Sequence, residues 1–251
     1  MRFPSASAFV LALLLAGCWS ARRGPAPPDL SGQNSEIAET AQRLELVGET
    51  MSSELQALQK LQTGFFDAPE GAWKAPFPLD QFKHAAMSCL NEPFTDVLPD
   101  PALQKVAQRL RISCAVPAAG VLDAALERLP GRRSFAEEKL QQIDDVRLVR
   151  SELQGRLRQL PAITRRTRNY LAARRAEARQ VEDDAQRRRS EYDRKAYQET
   201  MGRLAQHRAR LDELEAAIDE VERSIPRWSG EVGGLIDALY KRLSRLGREP
   251  R

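Results

Sequence analysis

From Ser35 onward the apolar residues fall on one side of a helix. Ile37, Leu44, Met51 and Leu58 recur every seven residues, with Ala41, Val47, Leu55 and Leu61 on the flanking positions. This spacing predicts an amphipathic helix of about 28 residues that stops at Gly64. A second stripe runs from Ser134 to Leu160 through Leu140, Ile143, Val146, Val149, Leu153, Leu157 and Leu160. Glu137, three residues after Ser134, completes a capping box at its start. Pro161 then either kinks one continuous helix or opens the second arm of a hairpin, and the hairpin is the reading adopted here. No further proline occurs before Pro226. A helix of about 65 residues, roughly 100 Å long at 1.5 Å per residue, is therefore allowed from Pro161 to Ile225. In its C-terminal half Tyr197, Leu204, Leu211, Ile218 and Ile225 recur every seven residues, and Thr200, His207, Leu214 and Val221 follow three further on. Those are the a and d positions of a coiled coil, so Tyr197, Leu204, Leu211, Leu214, Ile218 and Val221 form a candidate partner-binding seam. Pro226 ends this rod. After Trp228-Ser229-Gly230 a last amphipathic helix carries Val232, Leu235, Ile236, Leu239, Leu243 and Leu246, and the glycine-rich run 230–234 reads as the loop that opens it.

Between Gly64 and Pro101 the pattern is different. Six prolines alternate with Phe65, Phe66, Trp73, Phe77, Phe82 and Phe94. Proline breaks helices, so this stretch reads as irregular chain around one short helix, Asp80 to Leu90. Asp100 as N-cap and Pro101 at the first helical position start a helix with Leu103, Val106 and Leu110. A further short helix, Ala119 to Leu129, ends at Pro130-Gly131. The aromatic side chains fill this helical knot, the one segment that reads as globular.

Composition fits helices. Of 251 residues, 29% are charged and 6% aromatic, which favours long surface helices over a thick core. The expected fold class is all-α: an elongated helical bundle or coiled-coil hairpin with a small stapled subdomain. The formal charge of +4 is too modest to imply nucleic acid as a partner.

At the start of the chain, Arg2 precedes the apolar run Phe9 to Leu15, and Leu15-Ala16-Gly17-Cys18 follows. This junction resembles the lipobox of bacterial lipoprotein signal peptides. The resemblance implies that residues 1–17 are removed and that Cys18 carries a diacylglycerol through its thiol, together with further acyl chains. The run is too short to span a bilayer, since Arg22-Arg23 and Pro25, Pro27 and Pro28 interrupt it. Trp19, standing where an Asp would signal inner-membrane retention in that family, points to the outer membrane with the chain facing the periplasm. Residues 18–35 then read as the lipidated end and a proline- and glycine-rich tether, 36–130 as a helical region holding the stapled subdomain, and 131–251 as long helices. An exported chain with two remaining cysteines, Cys89 and Cys114, is expected to join them in a disulfide. Closing that loop stabilises the fold by roughly 3 kcal/mol.

Little in the chain points to catalysis. His207 occupies a d position, either as a tolerated polar residue or as a proton-sensitive register device. His84 lies near Cys89, but a disulfide removes the thiol a Cys-His pair needs. No metal-ligand motif, nucleophile elbow or phosphate loop appears in the sequence. The expectation is a protein that is not an enzyme and has no catalytic residue, metal or cofactor beyond the lipid on Cys18. Residues 161–180 contain six arginines and one acid. Arg165, Arg168, Arg175 and Arg179 share one side of the helix, which reads as a solvated face or as a binder of anionic lipid, lipopolysaccharide or wall polymer. The leading functional expectation is a membrane-anchored periplasmic scaffold or adaptor that binds a protein partner, or itself, through the coiled coil. The alternatives are the anionic-surface binder and a ligand-binding or enzymatic lipoprotein that uses segment 64–130 as a pocket.

Overall fold

A computed structural model describes residues 25–68, 71–91 and 114–247. Among them are five helices and no strand: α1 (Ser31–Phe66), α2 (Leu79–Asn91), α3 (Ala115–Leu126), α4 (Pro130–Arg187) and α5 (Arg194–Arg245). The protein is all-α, with its helices packed as a bundle. Two compact units are formed. The first combines the described residues up to Gln42 with Thr167–Ala216, and the second combines Arg43–Arg166 with the chain from Ala217 onward.

α1 follows its seven-residue stripe. Ile37, Leu44, Met51, Leu58 and Phe65 are all buried, and because Phe65 continues the series, Gly64 does not end the helix. The start also lies earlier than Ser35. Asp29 Oδ1 accepts the Ser31 backbone N–H at 3.0 Å and its hydroxyl at 2.7 Å, so five residues of the expected tether are helical.

Both internal prolines lie within helices, which corrects two boundaries. Pro161 is exposed inside α4, while Leu153, Leu160, Thr164 and Leu171 carry the buried stripe past it. Pro226 is exposed inside α5, between buried Val221 and Ser224 on one side and Trp228 and Val232 on the other. An interior proline costs about 3 kcal/mol or more through its lost hydrogen bond and ring clash. A ring that points to solvent while apolar burial continues on both sides leaves that cost covered. For the same reason the 230–234 run is helix and not loop.

The reversal instead comes at 188–193, interrupting the long helix expected from Pro161 to Ile225. From Gln186 to Glu191 every side chain is exposed, so nothing apolar holds the helix to a core. A 3-10 turn, Arg189–Glu191, follows. Asp193 Oδ1 then accepts the Ala196 N–H at 2.7 Å, capping α5 at its third residue.

In the second unit, Pro130 opens α4 instead of closing the helix before it, as suits proline at a first helical position. The capping box at Ser134 is not formed. Its hydroxyl donates to the Gly131 carbonyl, and Glu137 pairs with Arg133 at 3.0 Å. α3 begins at Ala115 and ends at Leu126, three or four residues before its expected bounds. The aromatic cluster does form, from Phe65, Phe66, Trp73, Phe77 and Phe82, and α4 adds Phe135 with its ring centroid 4.8 Å from that of Trp73. Cys89 and Cys114 stand at disulfide distance, with Cα atoms 5.5 Å apart. The expected signal segment, Cys18, Phe94 and the helix expected from Asp100 lie outside the described residues.

Candidate functional site

The seam of α5 faces the chain's own helices. Leu204, Leu211, Leu214 and Ile218 are at most 1% exposed and Val221 is 3% exposed, while Tyr197 is half-buried. These side chains are core residues of the folded chain, which corrects their reading as an open surface awaiting a partner. The heptad pattern was legible, but its occupant was not. A 3.5-residue period states that a face is covered and does not say by which chain.

His207 sits within this core, 1% exposed. Its Nδ1–H donates to Asn34 Oδ1 on α1 at 2.6 Å. An amide oxygen only accepts, so the ring proton sits on Nδ1 and a second proton would have to enter at buried Nε2. Burial, with the nearby Arg174 guanidinium second, holds its pKa below the ordinary histidine value, and Glu177 opposes part of that shift. A folded-state pKa below about 6.5 means that the unfolded chain binds more protons, so this contribution is complete above pH 6.5 and declines as pH falls. Denaturant melts at pH 7.5 and pH 5.5 are expected to show lower stability at pH 5.5, a loss absent in His207→Gln. An equal acid loss in that variant would assign the effect to other groups.

The arginine stripe resolves into unlike residues. Arg165 lies in the second unit and is exposed; the other three lie in the first. Arg175 is held by α5, donating to Glu215 at 2.7 and 2.9 Å and to Asp212 at 2.7 Å. Hydrogen bonding to Glu215 raises its pKa, and the same contact lowers that of Glu215. Arg168 is half-buried and also interacts with other groups. Arg179 is exposed at the rim of a cleft of about 270 Å³ lined by Arg175, Ala178, Arg208, Leu211 and Asp212. Arg208 is bound to Glu182. The cations of this cleft are therefore largely neutralised by carboxylates, and the stripe as a unit is not a free basic face.

The aromatic segment behaves as core. Trp73 lies 5.6 Å from Phe77 and 5.9 Å from Phe65, centroid to centroid, so ring packs on ring. Among the polar groups of this segment, Asp80 and Lys83 pair with each other and His84 is exposed. The Trp73 indole N–H is buried with no hydrogen-bond partner. A shallow groove of about 540 Å³ elsewhere in this unit is lined by Ser52, Leu55, Gln56, Gln59, Trp228 and Leu235 among others.

Two buried polar devices had no signal in the sequence. Lys139, 2% exposed, donates to the carbonyls of Gly64 at 3.2 Å and Asp67 at 2.9 Å, and to Gln142 at 3.1 Å. It thereby satisfies the C-terminal end of α1, and burial lowers its pKa despite Glu138 and Asp67. Asp144 pairs with Arg147 at 2.7 Å, both nearly buried, and Asp144 Oδ1 also lies 3.3 Å from Cys114 Sγ. Cys89, Cys114 and Asp144 together resemble a metal-ligand cluster. The two sulfurs stand at disulfide distance from each other and the Arg147 guanidinium lies on the carboxylate.

No protein-family model, curated protein or solved structure matches the chain. Among the described residues, no helix is long and apolar enough to cross a membrane.

Proposed function

We propose that this chain is a lipid-anchored, non-enzymatic helical scaffold of the bacterial cell envelope, held in the outer membrane through Cys18 and facing the periplasm. The observation that carries the reading is the Leu15-Ala16-Gly17-Cys18 junction behind a short apolar run. A dialkyl anchor gains about 0.8 kcal/mol per buried methylene, so several chains hold a protein on a bilayer without any spanning helix. The rest of the chain is in keeping with a structural task. Some of its buried polar groups are engaged in cross-helix contacts, such as His207 with Asn34 and Lys139 with the end of α1. With the heptad seam used for the chain's own packing, binding of a protein partner falls to exposed helix faces and not to Leu204, Leu211 and Ile218.

The test is the fate of Cys18. In a diderm host, the N-terminal peptide of the mature protein is expected to begin at Cys18 with the mass of a diacylglyceryl group, and the protein to float with outer membranes. Cys18→Ala is expected to abolish both the modification and the flotation. A mature protein with an unmodified Cys18, or one recovered wholly in the soluble fraction, would overturn the anchor.

A further inference from the structure

The hairpin turn between α4 and α5 is a strongly basic exposed feature outside the stripe. Residues 187–197 contain Arg187, Arg188, Arg189, Arg194 and Lys195 against Glu191 and Asp193. Two of the cations are locally balanced, Arg187 by Asp184 at 2.5 Å and Arg188 by Glu191 at 2.7 Å. Asp193 is committed to capping α5. Arg189, Arg194 and Lys195 remain as exposed cations. Beside them stand two half-buried tyrosines, Tyr192 and Tyr197, with ring centroids 6.2 Å apart and the Arg189 guanidinium 4.1 Å over Tyr197. The placement of Arg194 and Lys195 is costly for the helix. The first turn of α5 contains no acid, and a helix N-terminus favours negative charge. Nothing in the packing of α5 requires cations there.

The route of the N-terminal segment supplies the second observation. Asn34 is joined to His207, and the Pro28 carbonyl accepts from Arg203 at 3.0 Å. As numbering falls from 34 to 28 along one chain segment, it falls from 207 to 203 along α5. From Asn34 back to Pro28 the described chain therefore runs in the direction of the hairpin turn. The first turn of α5 lies about 14 Å along the helix from Arg203. Ten residues separate Pro28 from Cys18, a leash of at most about 35 Å. A lipid on Cys18 thus keeps the turn within reach of the bilayer surface in which it is embedded.

From this geometry we propose that the turn 187–197 is a second membrane contact, with Arg189, Arg194 and Lys195 on anionic phospholipid headgroups and Tyr192 and Tyr197 at the interface. The proposal rests on the lipid-anchored reading, and its chemistry is separable from it. Each exposed basic residue near an anionic surface strengthens partitioning several-fold, and tethering makes even a weak contact effective by raising local concentration.

The experiment uses the mature chain carrying Cys18→Ser, so that no lipid contributes. It is co-sedimented with phosphatidylcholine vesicles and with vesicles that also contain phosphatidylglycerol. Binding to the anionic vesicles alone, falling with added salt, is expected. Arg189→Glu/Arg194→Glu/Lys195→Glu is expected to lower it by about a hundredfold or more. The corresponding Gln variant is expected to fall in between, with an unchanged thermal melt. Reversal of exposed Arg165, Arg166 and Arg179 is expected to leave most of it. No binding to anionic vesicles, equal binding to both vesicle types, or loss only on reversal of the α4 arginines would each overturn the proposal. Binding that persists in a chain whose Cys18 proves unlipidated in cells would sink the anchor alone and leave the turn as a headgroup contact.

Discussion

Serine at Leu204, Leu211 and Ile218 together is expected to unfold the protein, where an intermolecular seam would lose only a partner. All three side chains are at most 1% exposed. Truncating one buried leucine or isoleucine costs about 2–5 kcal/mol from lost transfer free energy and the cavity left behind, and a buried hydroxyl adds a desolvation penalty. The three positions are seven residues apart, about 10 Å along α5. At that spacing their costs are nearly additive. The sum matches or exceeds the ~5–15 kcal/mol that holds a typical domain folded. Circular dichroism of the triple variant is expected to show no cooperative melt, and any single variant a midpoint well below that of the parent chain. A triple variant that keeps its helicity and melt while losing only self-association would return the seam to the outside of the molecule.

That expectation marks where sequence pattern stops being informative. The stripe of α1 was readable from Ile37 to Leu58, because a seven-residue period specifies a covered face whatever covers it, and only the glycine at 64 hid its last member, Phe65. The aromatic cluster was readable because phenylalanine and tryptophan have few alternatives to a core. The partners were not readable. Arg175 looked like a surface cation because Asp212 and Glu215 lie 37 and 40 residues further along the chain. Asn34, 173 residues from His207, gives no local hint of that contact. The prolines misled in the opposite sense. The local penalty for an interior proline points to helix ends at Pro161 and Pro226, and in both helices tertiary burial outweighs it. The true reversal does carry a local signal, six successive polar residues from Gln186 to Glu191 and then an aspartate in N-cap position before Arg194.

A second large effect is expected at Asp144, in the unit that holds Cys89 and Cys114. Asp144 and Arg147 are one turn apart on α4 and about 9% and 5% exposed, with 2.7 Å between Oδ1 and the guanidinium. The same oxygen lies 3.4 Å from the Cys114 N–H, which ties the start of α3 to α4. Removing one member of a buried ion pair leaves the other charge without its neutralising partner, and such changes cost about 3–5 kcal/mol. Both Asp144→Leu and Arg147→Met are therefore expected to lower the unfolding free energy by that much. The double variant removes both charges and keeps side-chain volume, so it is expected to recover most of the loss. A denaturant-melt cycle over the four proteins measures the coupling directly. Additive losses in the double variant would show that the two side chains act separately, with Asp144 serving Cys114 and Arg147 its other contacts. A strong coupling with near-parental stability would show that the pair's charges can be dispensed with together. The ionic contact would then favour one register of α3 against α4 more than it adds to net stability.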